Sequence, residues 1–175
     1  MENRRGKKQN ETFVMDTELF EQILEKVLAY LDYKPRSVSE INRHIDRILK
    51  KFGVSADTRD NIETELLKKL DKFSYLNDSK VANDYIQNAI FSTKPRSRGA
   101  VYVYLLKKGI PEEVVKREIE IFTDDVELKN MQKEVERKFG IDKLHIQEIN
   151  KQDIVNYLIQ KRYEARLVYE YTSSA

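Results

Sequence analysis

Lys34-Pro35-Arg36-Ser37 returns sixty positions later as Lys94-Pro95-Arg96-Ser97, and this repeat constrains the fold more than any other feature. Proline drives the residue before it out of the α region, so a helix arriving at either tetrapeptide must end there. The serine then offers an oxygen to the open N–H groups of a new helix. In the first copy Glu40 follows Ser37 at the spacing of a capping box. Apolar residues at helical period flank both copies. Each tetrapeptide is therefore a helix–helix joint, and the pair marks a tandem repeat.

With 175 residues, 35% of them charged, and only 5 glycines and 3 prolines, the chain suits long amphipathic helices rather than sandwiches or barrels. It has no cysteine, which removes disulfides, thiolate catalysis and cysteine zinc sites. His44 and His145 lie far apart and read as surface or half-buried residues, not ligands. No apolar run reaches the ~18 residues that a membrane span needs. No secretory leader is visible, and a cytoplasmic location is expected.

The net charge of +2 conceals blocks. Met1 to Asn10 carries +3, Lys34 to Lys51 carries +4, Lys94 to Arg117 carries +5, and Glu118 to Glu136 carries −5. Two basic blocks at equivalent repeat positions point to a polyanion or an acidic partner surface.

Residues 1–15 lack periodicity and are expected to form a disordered basic arm. Leu19, Ile23, Val27 and Leu31 set the stripe of a first helix. A second runs from Ser37 to Gly53 with Ile41, Ile45, Ile48 and Phe52 on one face and Arg43, Arg47 and Lys50 on the other. A third starts at about Thr58 and carries Ile62, Leu66, Leu70 and Phe73. After Asp78 the order repeats: a fourth helix, a fifth between Ser97 and Gly109, and a sixth opened by Pro111 in its first turn, with Val115, Ile119 and Phe122 inward. Val101 to Tyr104 alternates like a strand, but its place in the repeat and its Ser97 cap predict helix. A seventh helix begins at Thr123–Asp124 with Leu128, Met131, Val135 and Phe139 inward, and ends near Gly140. The closing segment matches the second module at an offset of 53, with Lys161 at the place of Lys108; residues 141–151 are its uncertain stretch. The expected architecture is all-α. Three tandem three-helix modules (16–77, 78–123 and a diverged 124–175) form an elongated, curved, right-handed-repeat-like array.

The order and spacing of these pieces resemble the bacterial RecX family, regulators of the RecA recombinase. The matching stretches are Ala29-Tyr30-Leu31 to Ser37 with Glu40-Ile41, and Tyr75-Leu76-Asn77-Asp78 with Ala82 and Tyr85. Lys94 to Arg98 and Leu105 to Ile110 with Glu112 to Val115 complete them. Two departures stand out: the first module's second helix is one turn longer than the second's, and Arg162 occupies the place of Gly109. The resemblance implies a cofactor-free monomer that lies along the RecA–single-stranded-DNA filament and restrains recombinase and co-protease activity. By position, the contact residues it implies are Lys34, Arg36, Arg43, Arg47, Lys50, Lys51, Lys94, Arg96, Arg98, Lys107 and Lys108. Any single-stranded DNA contact through these cations would be weak, sequence-independent and salt-sensitive.

Other readings stay beside this one. Lysines and arginines also serve to solvate helix faces. Tyr85 and Tyr104 could stack on bases, but their helical spacing among aliphatic residues favours core. Small three-helix units with a basic helix also suggest direct DNA binding of the helix-turn-helix kind. An enzyme is not expected. The acidic pairs Glu112-Glu113 and Asp124-Asp125 sit at helix starts, where the macrodipole accounts for them. No phosphate loop, nucleophile–base pair or metal spacing is present.

Overall fold

Nine helices and one 3₁₀ turn build the described part of the molecule, residues 17–140 and 150–173 of a computed structural model. They are α1 (Thr17–Tyr33), α2 (Val38–Lys51), α3 (Ala56–Lys72), α4 (Asp78–Phe91), α5 (Arg98–Lys107), α6 (Glu112–Glu118), a 3₁₀ turn (Ile119–Ile121), α7 (Asp124–Phe139), α8 (Lys151–Gln160) and α9 (Ala165–Ser173). The described residues contain no strand, so the chain is all-α. The basic arm (1–15), His145 and most of the uncertain 141–151 stretch lie outside the described residues.

The buried side chains fall into three clusters. Phe20 to Leu70 forms one, Ala82 to Phe122 a second, and Met131 to Tyr171 a third. Close helix packing follows the same division: α1 against α2, α4 against α6, α8 against α9. Full burial of an Ile or Leu contributes roughly 1.5–3 kcal/mol. Ile23, Ile45 and Leu66 in the first cluster are all fully buried.

Local chemistry decides where the helices start and stop. Ser37 and Glu40 form the capping box, each accepting from the other's backbone N–H at 3.2 Å. Ser97 caps α5 by accepting from Ala100 N–H at 3.0 Å. That cap, with Val101 and Leu105 buried one turn apart, makes the alternating Val101–Tyr104 stretch helical.

Three expectations need correction. α3 begins at Ala56 rather than near Thr58, because Ser55 caps it by accepting from Thr58 N–H. Pro111 is the residue before α6 rather than its first residue, and its extended ψ of 140° keeps it outside the helix. Ile119 sits in the 3₁₀ turn and is only half-buried, while Val115 and Phe122 fill the core.

The middle helices α2, α5 and α8 all end in the same turn. A residue in the left-handed region follows each: Gly53 (φ 68°), Gly109 (φ 78°) and Arg162 (φ 66°). The next residue's N–H then reaches back to the helix: Val54 to Leu49 O at 3.1 Å, Ile110 to Leu105 O at 3.3 Å, Tyr163 to Leu158 O at 3.1 Å. This six-to-one bond is the Schellman signature. Arg162 pays for its conformation, since a Cβ is disfavoured there.

Candidate interaction surfaces at the joints

Both Lys-Pro-Arg-Ser copies lie where one cluster meets the next. Ser37 is fully buried and Ser97 is 2% exposed, because each hydroxyl does two jobs. It accepts from its own helix and donates to the final turn of the next middle helix. Ser37 Oγ donates to Lys108 O at 2.5 Å, and Ser97 Oγ donates to Lys161 O at 2.6 Å. The C-terminal turn of one middle helix thus acts as a plug for the N-terminal socket of the preceding one. The negative end of α5 meets the positive end of α2, and α8 meets α5 likewise, which the helix dipoles favour.

Acids from the following first helix complete each socket. Val38 N–H donates to Asp78 Oδ1 at 2.9 Å, and Arg98 N–H donates to Glu127 Oε2 at 2.7 Å. Burial raises the pKa of both carboxyls, that of Glu127 to about 7 against the pull of Arg98. Glu127 Oε1 has no hydrogen-bond partner.

Charged pairs differ between the joints. At the first, Lys108 Nζ meets Glu40 at 2.6 Å. Burial works to raise the Glu40 pKa, yet the bonds from Lys108 and Ser37 N–H hold it below its usual value. At the second, Arg98 bonds Phe122 O, Asp124 and Glu164. Asn130 Nδ2 donates to Arg96 O at 2.9 Å, and buried Glu134 collects Arg137 and the Tyr157 hydroxyl.

The contact at the heart of each joint is tight, and the glycine changes sides. A Cβ on Gly109 would meet Ser39 Oγ at 2.4 Å and Ser39 Cβ at 2.5 Å. At the second joint the socket residue is Gly99, whose Cβ would meet Arg162 O at 2.5 Å. Arg162 can therefore replace a glycine because Gly99 has vacated the facing space.

These placements sort the eleven cations singled out from the sequence. Arg36 lies 4.0 Å over the Tyr30 ring with its Nε buried, and Arg98 and Lys108 are bound into the joints. Lys34, Arg43, Arg47, Lys50, Lys51, Lys94, Arg96 and Lys107 are exposed. Of these, Lys50 pairs with Asp46 at 2.6 Å, and Arg96 donates to the Tyr85 hydroxyl at 2.6 Å. Arg43, Arg47, Lys50 and Lys51 share the outward side of α2.

Tyr85 is half-buried against the second cluster, as its spacing among aliphatic residues favoured, while Tyr104 is exposed. They stack on each other at 4.3 Å beside the first joint, with Tyr104 37% exposed and Lys108 5.6 Å from its ring. Tyr30 and His44 stack likewise at 3.9 Å between α1 and α2. They floor a groove edged by Lys26, Arg47 and Lys51. Burial first, then Arg47, lowers the His44 pKa. The second joint gathers Lys94, Arg96, Arg137 and Lys161 around one cleft. Lys26, Arg137 and Lys161 lay outside the sequence-derived set. Only Lys161 had a signal, its place opposite Lys108 in the repeat.

Proteins similar to this chain include several named regulatory protein RecX. A regulatory protein RecX from Listeria monocytogenes serotype 4a is 30% identical over 144 residues, 82% of this chain and 50% of its own length. One from Bacillus licheniformis is 26% identical over 163 residues, 91% of this chain and 59% of its own. The chain thus spans about half the length of the curated relatives it matches. No family model matches it. Among solved structures, RecX from Lactobacillus salivarius superposes with TM-score 0.70 at 16% identity, over 90% of this chain and 96% of that one. A second RecX crystal structure gives 0.67 at 22% identity, over 90% and 72%. Sequence relatives and solved folds agree, and this chain belongs to the RecX family.

Proposed function

We propose that this chain is a non-catalytic regulator that binds RecA assembled on single-stranded DNA and restrains its recombinase and co-protease activities. Membership of a family whose relatives are named regulatory proteins carries the reading. In this reading the three buried clusters are the modules 16–77, 78–123 and 124–175, each presenting cations to the filament. Exposed Arg43, Arg47 and Lys51 on α2 and Lys107 on α5 are the contact residues. Arg36, Arg98 and Lys108 act indirectly, by holding the joints. Repeated contacts on one chain multiply affinity through effective concentration.

The groove floored by the Tyr30–His44 stack favours an accompanying contact with single-stranded DNA. Lys26, Arg47 and Lys51 would meet phosphates, and such binding falls steeply with salt.

A strand-exchange assay with the cognate recombinase tests the proposal. Wild type should slow exchange and ATP hydrolysis, and Arg43→Glu with Arg47→Glu, or Lys107→Glu, should weaken that effect. Circular dichroism should show all variants folded, since these side chains lie off the apolar stripes. If folded wild type at saturation leaves exchange, hydrolysis and filament lifetime unchanged, the reading fails.

A further inference from the structure

The clefts at the two joints share a ground plan but not a charge balance. The first sets Lys34 and Lys108 against Glu40 and Asp84 around about 180 Å³. Among the described residues the second sets Lys94, Arg96, Arg137 and Lys161 against Glu134 alone, around about 400 Å³. Two replacements make the difference. Ala100 stands three residues after Ser97, where Glu40 stands after Ser37. Arg137 stands ten residues after the joint acid Glu127, where Asn88 stands after Asp78.

The work of Glu40 at the first joint defines what the second lacks. Its carboxylate accepts from Ser37 N–H at 3.2 Å, meets Lys108 Nζ at 2.6 Å and lies 3.9 Å from Arg36. The counterparts of those three groups, on Ser97, Lys161 and Arg96, line the second cleft together with Ala100, which brings no carboxylate. Glu134 does not stand in for it. That carboxylate already takes Arg137 at 2.7 Å and the Tyr157 hydroxyl, and Lys161 stays 3.9 Å away. Arg96 donates to a neutral group, the Tyr85 hydroxyl. Four exposed cations around one cleft focus a field that draws in anions. Setting aside the Arg137–Glu134 pair, three cations remain, which suits a doubly charged oxyanion better than a carboxylate.

We propose that the second-joint cleft binds a phosphate group in the place that the Glu40 carboxylate holds at the first joint. Lys161, Arg96 and Ser97 N–H donate to it, and Lys94 adds charge. The anion then fastens α8 to α5 as Glu40 fastens α5 to α2 through Lys108. Inorganic phosphate, a 5′-terminal phosphate and a DNA backbone all offer this chemistry, and the test separates them. The site stands apart from the recombinase reading and is measured without recombinase.

Calorimetric titration of the intact chain with inorganic phosphate, at an ionic strength held constant with chloride, is the first arm. Phosphate should bind the wild type. Ala100→Glu restores the first joint's own carboxylate and should weaken binding about tenfold. Lys161→Gln, a milder change, should weaken it about threefold and serves if the glutamate variant misfolds; circular dichroism reports the fold of both. The second arm compares a short 5′-phosphorylated single strand with its 5′-hydroxyl twin. A preference for the phosphorylated strand that Ala100→Glu removes assigns a terminal phosphate. Equal binding that Ala100→Glu weakens assigns the backbone, and strands indifferent to the substitution leave the free ion as the ligand. No phosphate binding by the wild type, or binding that the folded variants keep unchanged, overturns the proposal.

Discussion

The two joints perform one task with opposite distributions of strain. At the first, the left-handed residue is Gly109 and the socket carries Ser39. At the second, the socket gives up its side chain at Gly99 while Arg162 takes the left-handed conformation at φ 66°. The close approach is what the fold requires, and either partner can supply the room. Polar support differs too. The first joint rests on a lysine–glutamate pair, the second on an arginine shared between Asp124, Glu164 and Phe122 O.

The largest effect should come from filling the contact. Gly109→Ala forces a Cβ into Ser39 and into the left-handed region together, at a cost of about 2–4 kcal/mol. Adding Ser39→Gly copies the second joint's solution and should recover about half of that in urea unfolding. No recovery would mean that backbone strain alone separates the joints. Gly99→Ala should resist such rescue, because the atom it meets is a backbone carbonyl.

A pH test distinguishes the joints next. The folded pKa of Glu127 is raised to about 7 by burial, above the ordinary glutamate value of 4.5. The folded state therefore holds a proton that the unfolded state has released. The stability this supplies is full below about 4.5 and is lost as pH rises through 7. From the size of that shift, stability should fall by about 3 kcal/mol across the window. Glu127→Gln should flatten the dependence and be the more stable protein at pH 8. His44 acts in the other direction, since its lowered pKa costs stability as pH falls. The comparison is thus made between variant and wild type at each pH. An unchanged slope in Glu127→Gln would show that the carboxylate is solvated in the folded state.

Removing the hydroxyls should cost less. Ser37→Ala and Ser97→Ala each lose a cap and orphan a carbonyl, about 1–2 kcal/mol. Ser37→Ala should be the worse, because it also dismantles the capping box with Glu40. Equal thermal shifts would mean that the box adds nothing at this site. The smallest effect is a gain: Arg162→Gly relieves the left-handed strain, and unfolding should show stabilisation of about 0.5–1 kcal/mol.

Much of the joint was legible in the sequence because caps are local. Pro35, Ser37 and Glu40 announce where α2 starts within six residues. What docks on them was not legible, since Ser37 donates to a backbone carbonyl 71 positions away and a carbonyl carries no side-chain identity. Arg162 in place of Gly109 reads as divergence until Gly99 is seen facing it. The basic blocks were visible as composition, but burial sorts them: Arg43 is exposed, and Lys108 is bound to Glu40. Tyr104 misled because helical spacing gives a shared face, not the depth at which that face lies.

The glycine that changes sides also makes the two seats sterically distinct. Tandem modules of similar shape risk skipping register, with a later module seated on the wrong predecessor. The Arg162 turn brings a side chain to the contact, so it fits against Gly99 and is rejected by the Ser39 socket. A turn that carries a side chain, as the Arg162 turn does, would therefore clash where the Gly109 turn sits, so the two seats differ in shape at a single pair of positions.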